Sequence, residues 1–169
     1  MHDADLLAEA EALLAACRAS GLTIATAESC TGGLVAAALT AIAGSSDVVD
    51  RGFVTYSNAA KTEMLDVPAA LIDAEGAVSE AVARAMAAGA LRRSAASLAV
   101  SVTGIAGPGG GSAAKPVGLV WFACARRGSA VRALRRVFPG DRAAVRRGAV
   151  TQALALLREA AGAGCGGGQ

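Results

Sequence analysis

Between positions 4 and 20, Leu6, Leu7, Ala10, Leu13, Leu14 and Cys17 recur at helical spacing and Gly21 supplies a stop, which predicts an amphipathic helix. The period then shortens. Leu22–Ala27 reads as a strand, followed by the polar stretch Glu28–Gly33 and a small-residue helix, Leu34–Ile42. Asp50–Tyr56 predicts a second strand. Asn58–Leu65 predicts a short helix stopped at Val67-Pro68, because the residue before a proline avoids the helical region. Ser79 caps a clearer helix, Ser79–Arg93, with Val82, Met86 and Leu91 near one face. Ser97–Val102 reads as a buried strand running into a glycine-rich loop. Gly118–Ala125 and Ala130–Phe138 read as two more strands, joined by a hairpin turn at Arg126–Ser129. Asp141 caps a last helix over 142–161.

Helices and strands that alternate and then close on a hairpin predict an α/β fold. The expected form is a single-domain three-layer sandwich, with a mixed, mostly parallel sheet and helices on both faces. No linker or repeat divides the chain, so residues 1–161 are expected to form the domain and the Gly-rich 162–169 a disordered tail. With 169 residues, 54% hydrophobic, and a mean hydropathy of +0.47, there is enough apolar material for one core. Alanine accounts for 44 residues and glycine for 21, which predicts close approach between layers. No stretch of about 18 large apolar residues escapes polar interruption, so no membrane span is expected. The acidic N-terminal segment lacks the basic region of a secretory leader. The expectation is a soluble, cytoplasmic protein.

Scarce residues narrow the chemistry. The only histidine is His2, beside the chain start, so a Ser-His-Asp triad or a His-ligated metal has no candidate histidine. Cys17, Cys30, Cys124 and Cys165 form no CxxC pair and no zinc spacing; spacing alone leaves disulfides open, and a reduced chain is the simpler reading. No metal or cofactor is expected. Of 16 basic residues 14 are arginine, and the two lysines are Lys61 and Lys115. Arginine keeps its proton in a protein, whereas a desolvated lysine can give its proton up. Residues 1–117 carry a net charge of −5 and residues 118–169 a net charge of +7. The plain reading of the C-terminal arginines is a solvated strand face and helix surface; the alternatives are an anion site or a subunit interface. Aromatics at 3% leave no stacking platforms for extended nucleic-acid binding.

Three polar segments follow predicted strands, where open α/β sheets gather their sites. In the first, Ser29, Cys30 and Thr31 precede a helix, and Gly32 and Gly33 permit close approach; it is either an ordinary cap or an anion or oxyanion site. It has neither Walker spacing nor a GxSxG elbow. The second, Thr55–Lys61, holds the single tyrosine, Tyr56, and Lys61, which is either a surface lysine or the base a serine nucleophile needs. The third, Thr103–Gly111, is either a mobile connection or a backbone-lined substrate loop. Lys115 reads most simply as a loop anchor; the alternative is an anion contact.

The segments TAESCTGGL (26–34), GFVTYSNAAKTEMLDVP (52–68), AVSEAVARAMAAGAL (77–91), LAVSVTGIAGPGGGSAAKPVGLVWFA (98–123) and FPGDRAAVR (138–146) together resemble the CinA C-terminal domain family, over roughly residues 5–160 and in order. That family includes stand-alone nicotinamide-nucleotide amidohydrolases. The resemblance implies hydrolysis of the carboxamide of nicotinamide mononucleotide to nicotinate mononucleotide and ammonia, without metal. By motif position it implies Ser29 as nucleophile, Lys61 as general base and Tyr56 in the same site. It places Cys30, Thr31, Gly32 and Gly33 where substrate and oxyanion are held, Thr103 and Gly104 along the substrate site, and Arg142 on the nucleotide phosphate. It also implies a homo-oligomer. Gly109-Gly110-Gly111-Ser112 departs from the Asp-Gly-Gly-Thr type of loop in many relatives, which touches substrate affinity rather than the catalytic pair.

Two other readings stand beside this one. One is a non-catalytic nucleotide-binding or competence-associated interaction protein of the same fold, which would have no reason to keep Ser29, Tyr56 and Lys61 together. The other is an amidohydrolase of a different small amide, which the sequence does not distinguish.

Overall fold

The computed structural model describes residues 4–162. His2, Cys165 and all but the first residue of the tail expected over 162–169 lie outside them. The elements run α1 (Ala4–Ser20), β1 (Ile24–Glu28), α2 (Leu34–Thr40), β2 (Val49–Val54), α3 (Asn58–Leu65), α4 (Ala69–Glu75), α5 (Glu80–Arg92), β3 (Leu98–Gly104), β4 (Leu119–Arg126), β5 (Arg132–Val137) and α6 (Arg142–Gly162). The five strands form one sheet in the order β2-β1-β3-β4-β5. β1 pairs parallel with β2 and β3, while β3–β4 and β4–β5 are antiparallel. The three-layer α/β sandwich is therefore as expected.

The two faces of the sheet differ in side-chain size. Ile24, Leu98, Val100, Val102, Val120, Phe122 and Cys124 pack with α1, α2 and α6. Each such large apolar side chain, once fully buried, contributes about 1.5–3 kcal/mol. On the opposite face, β1 and β3 present Ala25, Ala27 and Ala99, and β4 presents Ala123 and Ala125, to the helices α3–α5. A pleated strand alternates its faces, so a large–small alternation in sequence becomes one thick and one thin layer. The thin layer brings α5 close enough for the Ser101 hydroxyl to donate to the Ala83 carbonyl at 2.6 Å. At Gly89 a Cβ would lie 2.0 Å from the Leu65 carbonyl oxygen, so α3 and α5 meet backbone to backbone.

Three local expectations are corrected. β1 begins at Ile24 and takes in Glu28, where the sequence pattern predicts a strand over Leu22–Ala27. Leu22 is instead held to the end of α1 by its N–H bond to the Cys17 carbonyl. α4 was not expected: Pro68 stops the preceding helix but also stands at the N-cap of the next, where its missing N–H costs nothing. The capping residues are as expected. Ser57 accepts from the Ala60 N–H at 3.0 Å, Ser79 from Val82 at 3.3 Å and Asp141 from Ala144 at 2.8 Å.

The connections position the site. From β1 the chain crosses by α2 to β2 on one face. It then returns by α3–α5 on the other face to β3, the second neighbour of β1. The C-terminal end of β1 is thus where strand order reverses, a place where α/β sheets hold ligands.

Candidate active site

Ser29 follows β1, anchored by its N–H bond to the Val102 carbonyl at 2.9 Å. Its hydroxyl accepts from the Lys61 ammonium nitrogen, Nζ, at 3.0 Å. Nζ also donates to the Thr55 carbonyl at 2.8 Å. Lys61 reaches this point because it lies one turn before Leu65 on α3. Both side chains therefore face the interior, with Leu65 0% and Lys61 1% exposed. Its two hydrogen-bond partners are neutral. Burial pushes the Lys61 pKa below its ordinary value of 10.5, opposed in part by Cys30. The sequence allows either a surface lysine or a base at Lys61; the structure removes it from the surface.

The turn 29–33 is framed by two residues that the sequence reading missed. Glu28, 0% exposed, accepts through Oε2 from the N–H groups of Gly33 and Val35 at 3.0 Å, and through Oε1 from Ala36 at 2.9 Å. Arg146 on α6 donates from Nε to the Cys30 carbonyl at 3.1 Å and from Nη2 to the Thr31 carbonyl at 2.9 Å. The signal for Glu28 was its place directly before Ser29. Arg146 had none beyond its place in the FPGDRAAVR segment.

These contacts revise the expected oxyanion donors. The Gly33 N–H is held by Glu28, and the Gly32 N–H by the Ser29 carbonyl at 3.0 Å. Of the three donors expected at Thr31, Gly32 and Gly33, only the Thr31 N–H is unengaged. The two glycines serve conformation instead: φ is +60° at Gly32 and +98° at Gly33, values that side chains disfavour. A Cβ at Gly32 would also meet Arg146 Nη2 at 3.4 Å.

Tyr56 and Arg142 form a second pair. Arg142 donates from Nη2 to the Tyr56 hydroxyl at 2.9 Å and from Nη1 to the Gly107 carbonyl at 3.0 Å. Tyr56, 61% exposed, thus bonds Arg142 rather than the Ser29–Lys61 pair. Thr103, expected along the substrate site, is 1% exposed and spends its hydroxyl on the Ala77 carbonyl at 2.8 Å. At Gly104 a Cβ would lie 2.8 Å from the Leu119 carbonyl oxygen, so that glycine permits close strand packing. The buried hydroxyls of Thr31 and Thr55 have no protein partner.

The Cys30 thiol is buried, and desolvation pushes its pKa up to about 11. That is the wrong direction for a thiolate nucleophile. Lys115 donates to the Glu75 carbonyl at 2.7 Å and anchors its loop, as its sequence position suggested. Among the C-terminal arginines, Arg127 holds the carbonyls of Leu91, Ser94 and Ala96, a structural use. Among the described residues no three His, Cys, Asp or Glu side chains gather as a metal site requires, and no helix is long and apolar enough to cross a membrane. A cleft of about 750 Å³ along Phe138, Asp141, Arg147 and Gln152 and one of about 540 Å³ beside Trp121, Arg84 and Arg135 are lined by neither Ser29 nor Lys61. Size does not choose the site; the buried lysine on a serine hydroxyl does, because an ammonium is driven to such a place only against its desolvation cost.

A family model described as the CinA C-terminal domain matches residues 7–161. The nicotinamide-nucleotide amidohydrolase PncC of Escherichia coli K12 is 52% identical over 158 residues, which cover 93% of this chain and 95% of that protein. A CinA-like protein of Mycolicibacterium vanbaalenii is 57% identical over 141 residues, 83% of this chain, but the match spans only 33% of that longer protein. The crystal structure of the competence/damage inducible protein CihA from Agrobacterium tumefaciens superposes with a TM-score of 0.92 at 50% identity, covering 96% of this chain and 98% of that one.

Proposed function

The chain belongs to the CinA C-terminal domain family, and from that premise we propose that it is a nicotinamide-nucleotide amidohydrolase that works through a Ser29–Lys61 acyl-enzyme. The observation that carries the reading is the Lys61 Nζ, buried and depressed in pKa, 3.0 Å from the Ser29 hydroxyl. The near-full-length match to a relative named for this activity supports the substrate. Neutral Lys61 takes the Ser29 proton as Oγ bonds to the carboxamide carbon. The tetrahedral oxyanion collapses, the C–N bond breaks, and Lys61 passes the proton to the departing nitrogen, which leaves as ammonia. A water then attacks the acyl carbon, gives its proton to Lys61, and Ser29 recovers it. Loss of one oxyanion donor typically costs about 2.7–4 kcal/mol in such a step.

Arg142 is assigned to the nucleotide phosphate, where a guanidinium offers paired donors, with Tyr56 holding its orientation. The reading is of a cytoplasmic enzyme that assembles at least as a dimer. The test is direct: purified protein with nicotinamide mononucleotide should release ammonia and nicotinate mononucleotide in equal amounts. Folded protein that binds the nucleotide without turnover would move the conclusion to the binding-protein reading. Turnover of other carboxamides alone would move it to a different amidase.

A further inference from the structure

We propose that Glu28 and Arg146 are positioning residues that together make the N–H groups of Cys30 and Thr31 the oxyanion donors for attack by Ser29. The proposal rests on the Ser29–Lys61 reading above and goes beyond it to what builds the site. It comes from a complete account of the backbone donors around the turn, since a buried N–H must have a partner or a use. Ser29 N–H goes to Val102, Gly32 to Ser29, Leu34 to Thr31 at 3.3 Å and Ala37 to Gly33 at 2.8 Å. Gly33, Val35 and Ala36 go to the Glu28 carboxylate. From Ser29 to Ala37 this leaves the N–H groups of Cys30 and Thr31 with no backbone or side-chain oxygen to bond.

Glu28 does the larger share. α2 has only seven residues and no acidic residue in its first turn, and its N-cap Gly33 offers no side chain. A carboxylate that only accepts, set against three N–H groups, supplies that cap from the end of β1. The start of α2 is therefore filled from inside the protein. Substrate charge is left to the turn that precedes it.

Arg146 sets direction. The Cys30 carbonyl and the Thr31 N–H belong to one trans peptide plane and point opposite ways. A guanidinium holding the Cys30 carbonyl on the α6 side turns the Thr31 N–H away from α6. The same reasoning applies to the next peptide. Arg146 holds the Thr31 carbonyl, and the Gly32 N–H, pointing the other way, reaches the Ser29 carbonyl. One guanidinium thus fixes two successive peptide planes beside the nucleophile, and the Glu28 carboxylate fixes the helix start that follows them.

The experiment compares wild type, Glu28→Gln and Arg146→Met. Each is measured per folded molecule for turnover of nicotinamide mononucleotide and for labelling of Ser29 by a fluorophosphonate, whose adduct places an oxygen where the oxyanion forms. Glutamine keeps the shape of Glu28 but turns an NH2 group toward backbone donors; methionine keeps much of the Arg146 stem without its donors. In each variant kcat and labelling rate are expected to fall about 10- to 100-fold. KM should stay within about threefold, because ground-state binding lies elsewhere. The pH dependence of kcat/KM should keep its wild-type apparent pKa, because Lys61 is untouched. A merely loosened fold would rewet Lys61 and move that pKa toward its ordinary value. Wild-type kcat in both variants overturns the proposal, as does a loss accompanied by a shifted pH profile or failure of both variants to fold. Wild-type protein that is labelled at Ser29 yet inert toward the nucleotide sinks only the substrate reading, and the labelling arm still decides this one. Wild-type protein neither labelled nor active overturns both.

Discussion

Replacing Lys61 by methionine links stability and activity through one proton. Methionine keeps the length and apolar stem of the side chain and removes the buried amine. The catalytic expectation is a fall in kcat of about 10²–10⁴, the range for a positioned acid–base group. The stability expectation follows from burial, which lowers the folded-state pKa below 10.5. A lysine depressed in the folded state binds fewer protons there than in the unfolded chain, so wild-type stability rises with pH between the folded and unfolded values. Below the folded pKa wild type bears the whole cost of burying the ammonium; above about 10.4, the ordinary lysine value, it bears none. The advantage of Lys61→Met over wild type should therefore be largest at low pH and shrink as pH rises through the window. The shrinkage should be about 1.4 kcal/mol for every unit by which the folded pKa lies below the unfolded one. Urea unfolding of both proteins from pH 6 to 10 gives this difference. The wild-type pH profile of kcat/KM, which reports the free enzyme, gives the folded pKa independently. The two must agree. A rate profile that rises through one pKa while the stability difference stays flat with pH would show that the activating proton is not on Lys61.

Cys30→Ala should keep most activity, and wild-type Cys30 should resist alkylation near neutral pH, because its thiol is pushed up to about 11; mass-spectrometric labelling and turnover check both. Arg142→Ala should raise KM by about 10- to 100-fold, the value of a charge-assisted contact, with a smaller change in kcat; steady-state kinetics read the split. Gly89→Ala places a Cβ 2.0 Å from the Leu65 carbonyl oxygen and should destabilise by at least the 1–3 kcal/mol of ordinary overpacking, seen as a lower Tm. Light scattering at micromolar concentration and low salt should find at least a dimer, given −5 and +7 net charges in the two parts of the chain.

The fold was largely legible because β3 and β4 are apolar runs bounded by turn residues and the helices α5 and α6 each carry an N-cap. Ser79 and Asp141 started helices where they were expected to. α4 was hidden because Ala69–Glu75 is too short to show a helical period, and because Pro68 signals both a stop and a start. Within the site, the residues of polar motifs were legible and their partners were not. Ser29 and Lys61 stand 32 positions apart and meet. Tyr56 and Arg142 also meet, but with each other rather than with that pair. Glu28 passed as the first residue of a polar loop, since a buried carboxylate satisfied only by backbone donors leaves no charge pattern in the sequence. Arg146 passed as one arginine in a basic region, most of which braces carbonyls or lies on the surface.

The alanine content bears on the chemistry as well as the packing. On the α3–α5 face, Ala25, Ala27 and Ala99 leave a thin layer that Leu65, Val82 and Met86 fill. Gly89 lets α3 approach α5 until only backbone separates them. Lys61, one turn from Leu65, is carried inward by the same contact and ends 1% exposed. Larger residues on that face of β1 would hold α3 away from the sheet, and water would reach Nζ. A hydrated lysine stays protonated at neutral pH and is no base for Ser29. The close layer and the depressed lysine are thus cause and effect. A substitution such as Ala27→Val, remote in sequence from Lys61, should move the apparent pKa of kcat/KM upward along with lowering Tm. An unchanged pKa in a destabilised Ala27→Val protein would separate packing from the proton chemistry and refute that link.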